Sequence, residues 1–250
     1  LLNSVDASIS EEAKNFKIAA ETALINERLV ELRVFELEAL KIELFARPTI
    51  NLFLQFLSEE EDLVRSLLSG LYQAHSDFFN KLLRVSDEDQ LRHILILMRE
   101  CLPKLESNTL SELFILFRKT KSEKIRISCL GTLLTFSEPV EYLDFIQTEA
   151  EAQIIAWFLS TSNHVEHSKI QLIELWCRFQ NDSVRQVILA SLFKLSQKSP
   201  IFAAEYRSFL THAIGQQNLS NRLKPLMASF LSRLGDDYFH LANHFLSAQA

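Results

Sequence analysis

The sequence predicts an all-α fold, a series of helices packed one on the next, and three observations carry that expectation. Glycine (4) and proline (5) are scarce across 250 residues, so long stretches run without a helix breaker. The hairpin dipeptides Asn-Gly and Asp-Gly do not occur. Helix-start signals, a Ser or Thr followed three residues later by an acid, recur at short intervals ahead of apolar runs of helical period. With 48% hydrophobic and 23% charged residues, the composition is that of a folded chain rather than a disordered one.

The first element is long. No Pro or Gly falls between Ile9 and Phe45, and Ser8 with Glu11 fits a capping box, so a helix is expected over 9–45. At 1.5 Å per residue it would run roughly 55 Å. Phe16, Ala20, Ala23, Val30, Val34, Leu37 and Leu44 lie near one seam, and Ile25, Leu29, Leu32 and Leu40 form a second stripe beside it. That breadth suits a helix packed on a domain, with a coiled-coil or linker helix as the other reading. Pro48 ends it. The chain accordingly divides into a long acidic N-terminal helix, 1–47, serving packing or linkage, and a helical repeat domain, 48–250.

Shorter helices are expected over 49–57, 59–75, 77–84, 87–102, 108–119, 122–136, 138–147, 149–160, 164–179, 182–197, 199–214, 219–234 and 237–247. The start signals are Ser58 with Glu61, Ser86 with Asp89, Thr148 with Glu151, and Ser199 ahead of Pro200.

A pattern recurs inside these helices. In NDSVRQVILASLFKLS, Asp182, Val184 and Arg185 are followed by Ile188, the small Ala190 and Leu192. Asp62, Val64 and Arg65 lead in the same way to Leu68, Gly70 and Tyr72, and Glu123, Ile125 and Arg126 lead to Cys129, Gly131 and Leu133. Weaker copies start at Leu91 and Leu223, and the spacing leaves room for a degenerate unit between residues 137 and 180. The acid meets the positive end of the helix dipole, and the apolar positions line one buried stripe. A helical Gly costs about 1 kcal/mol against Ala, so Gly70, Gly131 and Ala190 are expected where a neighbouring helix comes close. Gly215 and Gly235 follow helices, as C-caps do.

The motifs DSVRQVILASL and EKIRISCLGTLL resemble the second-helix signature of the HEAT and armadillo class, over roughly residues 58 to 247. That resemblance implies a right-handed α-solenoid of about five to six HEAT-like helix pairs preceded by one long helix. It also implies an inter-repeat ladder formed by Arg65, Arg126 and Arg185 with Asp62, Glu123 and Asp182. Two features depart from the family pattern: the first-helix proline is mostly missing, and the spacing is uneven.

Charge and motifs narrow the function classes. Residues 1–62 hold 13 acidic and 6 basic residues, net −7, whereas residues 63–250 hold 19 and 20, net +1. A nucleic-acid tracker needs a basic face, so no nucleic acid is expected as partner. Cys101, Cys129 and Cys177 are far apart, with neither disulfide-framework nor zinc spacing, which fits a reducing, cytoplasmic compartment. No apolar run is long enough to span a membrane. Direct membrane binding is not expected, although the chain begins with Leu and anchoring through an upstream segment is a second reading.

Three clusters of polar residues invite a chemical reading. Arg118, Lys119, Lys121 and Lys124 in FRKTKSEKIR form a basic cluster suited to an acidic peptide, a phosphate or an anionic surface, or else a solvated inter-helix turn. His240 and His244, after Asp236 and Asp237, have the i, i+4 spacing of a metal pair, and His164 and His167 flank Glu166; surface histidines are the plainer reading of both. Phe53, Phe56, Phe78, Phe79, Phe114 and Phe117 read as core. No nucleophile elbow, phosphate loop or dinucleotide fingerprint is present, so neither cofactor, metal nor catalytic residue is assigned. The expectation is a non-enzymatic scaffold that binds a protein or peptide segment on its surface. A regulatory or sensory domain of a larger protein is the alternative, and a DNA-repair-type solenoid enzyme ranks third.

Overall fold

The computed structural model describes residues 22, 26–28, 33, 36, 38–59, 61–85, 87–214 and 220–235, and among them every regular element is helical. The described residues between 22 and 46 are helical, the last nine continuously (α1, 38–46). Then follow α2 (Ile50–Glu59), α3 (Glu61–Ala74), α4 (Ser76–Val85), α5 (Glu88–Cys101), α6 (Ser107–Lys119), α7 (Glu123–Phe136), a 3-10 turn (Pro139–Phe145), α8 (Glu149–Thr161), α9 (Val165–Arg178), α10 (Asp182–Ser196), α11 (Pro200–Ile214) and α12 (Leu223–Arg233). Most of the helix expected over 9–45, the helix over 237–247 and Gly215 lie outside the described residues. No described helix is long and apolar enough to cross a membrane.

The local signals behave unevenly. Thr148 and Glu151 form a complete capping box at α8, and Ser199 Oγ accepts from the Phe202 amide at the start of α11. Ser58 does not cap α3: it sits inside α2 and donates to the Gln55 carbonyl at 2.8 Å. Asp87 caps α5 through the Gln90 amide, and Ser86 lies outside the described residues. The helix expected over 138–147 is a 3-10 turn opened by Pro139. Extended backbone at Glu138 and Ile146 bounds it to seven residues.

The chain forms two compact units, Leu1–Leu82 and Leu83–Ala250. In the first, α2 and α3 pack together around an aromatic cluster. Phe53 meets Phe78 and Phe79 edge-on at 5.8 and 6.0 Å, and Tyr72 meets Phe79 at 5.2 Å. Such edge-to-face pairs add to plain apolar burial. His75 Nε2 donates to the Phe45 carbonyl at 2.6 Å and ties the end of α1 to the end of α3.

In the second unit α5, α7, α8, α10 and α12 pack side by side in that order. Further elements lie against this row: α6 on α7, the 3-10 turn on α8, α9 on both α8 and α10, and α11 on both α10 and α12. Leu95, Leu97, Leu113, Phe117, Cys129, Leu133, Ile155, Leu172, Ile188 and Leu210 are inaccessible to solvent between them. The Cys129 thiol is pushed up to about 12 by this burial, so it stays protonated and serves as core. The three cysteines are unpaired, with Cys177 exposed.

Candidate functional site

The three arginines of the recurring motif have different surroundings. Arg126 is the buried one. Its Nε and Nη2 donate to Glu151 Oε1 and Oε2 at 2.5 and 3.1 Å, and its Nη1 and Nη2 reach the carbonyls of Phe117 and Phe145 at 2.8 and 3.1 Å. The guanidinium lies 4.4 Å from the centre of the Phe117 ring. Glu151 Oε2 also accepts from the amides of Gln147 and Thr148. One buried pair therefore ties α6, α7, the 3-10 turn and the start of α8, with each side chain's polar atoms occupied.

Arg185 instead donates to the Phe179 carbonyl at 3.2 Å and to the Gln180 side chain, and lies 4.6 Å over the Trp176 ring. Arg65 pairs with Glu61, one turn earlier on its own helix, at 2.7 Å. Of the acids, Asp182 accepts from Ser220 Oγ at 2.6 Å, while Asp62 and Glu123 are exposed. For Arg126 and Arg185, then, the described contacts do not include Asp62, Glu123 or Asp182. The carboxylate that meets Arg126 is Glu151, which in the sequence reads only as half of a capping box. Arg178 plays an allied part: it donates to the carbonyls of Leu143 and Ile146 and so holds the 3-10 turn.

The small positions do not share one environment either. Gly131 is buried, but Gly70 and Ala190 are exposed. A Cβ at Gly131 would lie 3.2 Å from Arg99 Nη1, and one at Gly70 would lie 3.5 Å from the Phe45 ring. Side chains, not neighbouring helix backbones, occupy the space these glycines leave.

The basic cluster is spread over one helix end and the next helix start. Arg118 stacks over Phe145 and Phe114, at 4.9 and 5.8 Å from the ring centres. Lys119, Lys121 and Lys124 are exposed. Lys119 lines a surface depression beside Ile115 and Leu116, where Arg84 and Glu112 form a two-point ion pair of 2.5 and 3.1 Å. The hydrogen bond from Arg84 holds the Glu112 carboxyl below its ordinary range. His164 and His167 line a pocket of about 290 Å³ with Glu138, Ser168 and Gln171. Among the described residues no group of three or more His, Cys, Asp or Glu is placed to hold a metal ion. His240 and His244 lie outside the described residues.

The most coherent surface feature is a groove of about 390 Å³ that crosses four successive helices of the row. It is lined by Arg99 from α5, Ile127 and Gly131 from α7, Gln153, Ile154, Trp157 and Phe158 from α8, and Val187 from α10. Trp157 is 56% exposed, with its ring edge-on to Phe158 at 5.0 Å.

Helix register explains the groove. The caps Ser122, Thr148 and Asn181 start α7, α8 and α10. Nine residues beyond each cap stand Gly131, Trp157 and Ala190. The one large ring at this position therefore sits on a helix packed between two that carry small residues there. Sequence reading missed Trp157 because α8 lacks the acid-x-Val-Arg anchor; aligning the caps would have found it. Comparison of the chain with family models, curated proteins and solved structures returns no match.

Proposed function

We propose that this chain is a non-enzymatic scaffold that binds another protein or a peptide segment on the row α5, α7, α8 and α10. The observation that carries the reading is the exposed apolar groove to which four successive helices contribute. A half-exposed tryptophan within an apolar groove supports this reading, because Trp brings a large apolar area to a contact at little conformational cost. The reading includes a right-handed HEAT-like stack of five to six helix pairs. Its support is the alternation of row helices with outer elements, the 3-10 turn standing with α8 as the degenerate unit between residues 137 and 180. Such arrays offer extended surfaces in place of one deep pocket. The unpaired cysteines suit a reducing, cytoplasmic setting.

The test is affinity capture by the intact chain beside its Trp157→Ala variant, quantified by mass spectrometry. A partner enriched by the intact chain and lost from the variant is the expected result. Recovery of no partner, or equal recovery by both, overturns the proposal.

A further inference from the structure

Within that scaffold reading, on which this step rests, we infer that the groove takes an acidic peptide segment. The segment inserts an apolar side chain beside Trp157 and presents a carboxylate to Arg99. The lining is apolar apart from Gln153 and one charge, the Arg99 guanidinium, and it contains no acidic residue. Gly131 gives that guanidinium its seat, since a Cβ there would stand 3.2 Å from Nη1. Among the described residues Arg99 has neither an ion pair nor a side-chain hydrogen bond, and it is exposed.

A partner that covers the groove takes water from this cation. An apolar or basic partner would leave it buried and uncompensated, whereas a carboxylate beside the apolar anchor restores its hydrogen bonds. Four helices set ~8–10 Å apart cover about 30 Å, which an extended peptide of about ten residues spans. Nucleic acid would need several cations along a backbone track, and the groove supplies one.

The experiment uses the full chain carrying Trp176→Phe, which leaves Trp157 as the single tryptophan reporter. The probes are three synthetic peptides of about twelve residues with the same central Leu-Phe pair, flanked by Asp and Glu, by Ser, or by Lys. Trp157 emission should shift on titration, with the acid-flanked peptide binding about tenfold or more tightly than the Ser-flanked one and the Lys-flanked peptide weakest. Arg99→Glu should invert that order. Trp157→Ala, followed by anisotropy of labelled peptide, should weaken the acidic peptide by about tenfold or more. Both side chains are exposed, and an unchanged thermal melt verifies that each variant is folded.

Affinities indifferent to flanking charge, an order unchanged by Arg99→Glu, or tighter binding of an oligothymidylate than of any peptide would each overturn the inference. If a captured partner depends on Trp157 but not on Arg99, the acidic specificity falls and the scaffold reading stands. If neither peptide nor partner binds, both fall.

Discussion

Arg126 shows what a single side chain does for this fold. Its guanidinium is out of water, and the four oxygens that accept from it come from three elements, α6, the 3-10 turn and α8. Removing one partner of such a pair strands the other, at a cost of about 3–5 kcal/mol, whereas replacing both by apolar residues is often near neutral. Urea denaturation of Arg126→Met, Glu151→Leu and the double variant should give two strongly destabilised proteins and a double variant better than the sum of the singles. Additive losses would mean the two residues act independently. Gly70 gives a contrasting case. A Cβ there meets only the Phe45 ring at ordinary contact distance, so Gly70→Ala should raise stability by up to about 1 kcal/mol in a thermal melt. A lower melting temperature would show that the helix needs its glycine.

At the scale of elements, α8 is the informative one. It begins with a complete capping box, yet its carboxylate at the third position also receives Arg126 from the preceding helix. In α7 and α10 that third position is filled by Ile125 and Val184, which are buried apolar residues. Exchanging an apolar residue for Glu151 is tolerable because four N–H groups converge on the carboxylate. Thr148→Ala should therefore cost about 0.5–2 kcal/mol as the loss of a cap. The Arg126 ion pair should survive it, since the carboxylate keeps its other donors. A loss in the range of the Arg126→Met variant would show that cap and ion pair form one cooperative unit.

At the scale of the whole molecule, the second unit is a row in which each helix contacts its neighbours in order. Perturbation in such an array should stay local and decay along it. Hydrogen exchange on Arg126→Met should show lost protection from α6 through α8, with α12 retaining the protection of the unaltered chain. Uniform loss across 107–233 would instead mark the unit as one all-or-none block.

Sequence by itself determined the helical class, most helix positions and the apolar stripes, because these follow from local periodicity, caps and the scarcity of breakers. The buried Phe53, Phe56, Phe78, Phe79 and Phe117 were legible for the same reason. Tertiary structure decided what helical period alone does not encode: which arginine finds which carboxylate, and what fills the space beside a glycine. Arg65, Arg126 and Arg185 have the same local sequence setting, yet one pairs within its helix, one is buried on a carboxylate from α8 and one stacks on Trp176. The groove is of the same kind, since Arg99, Gly131, Trp157 and Val187 are distant in the chain and meet because their helices pack side by side. A side chain's surroundings are set by its neighbours in space, and only packing brings those neighbours together.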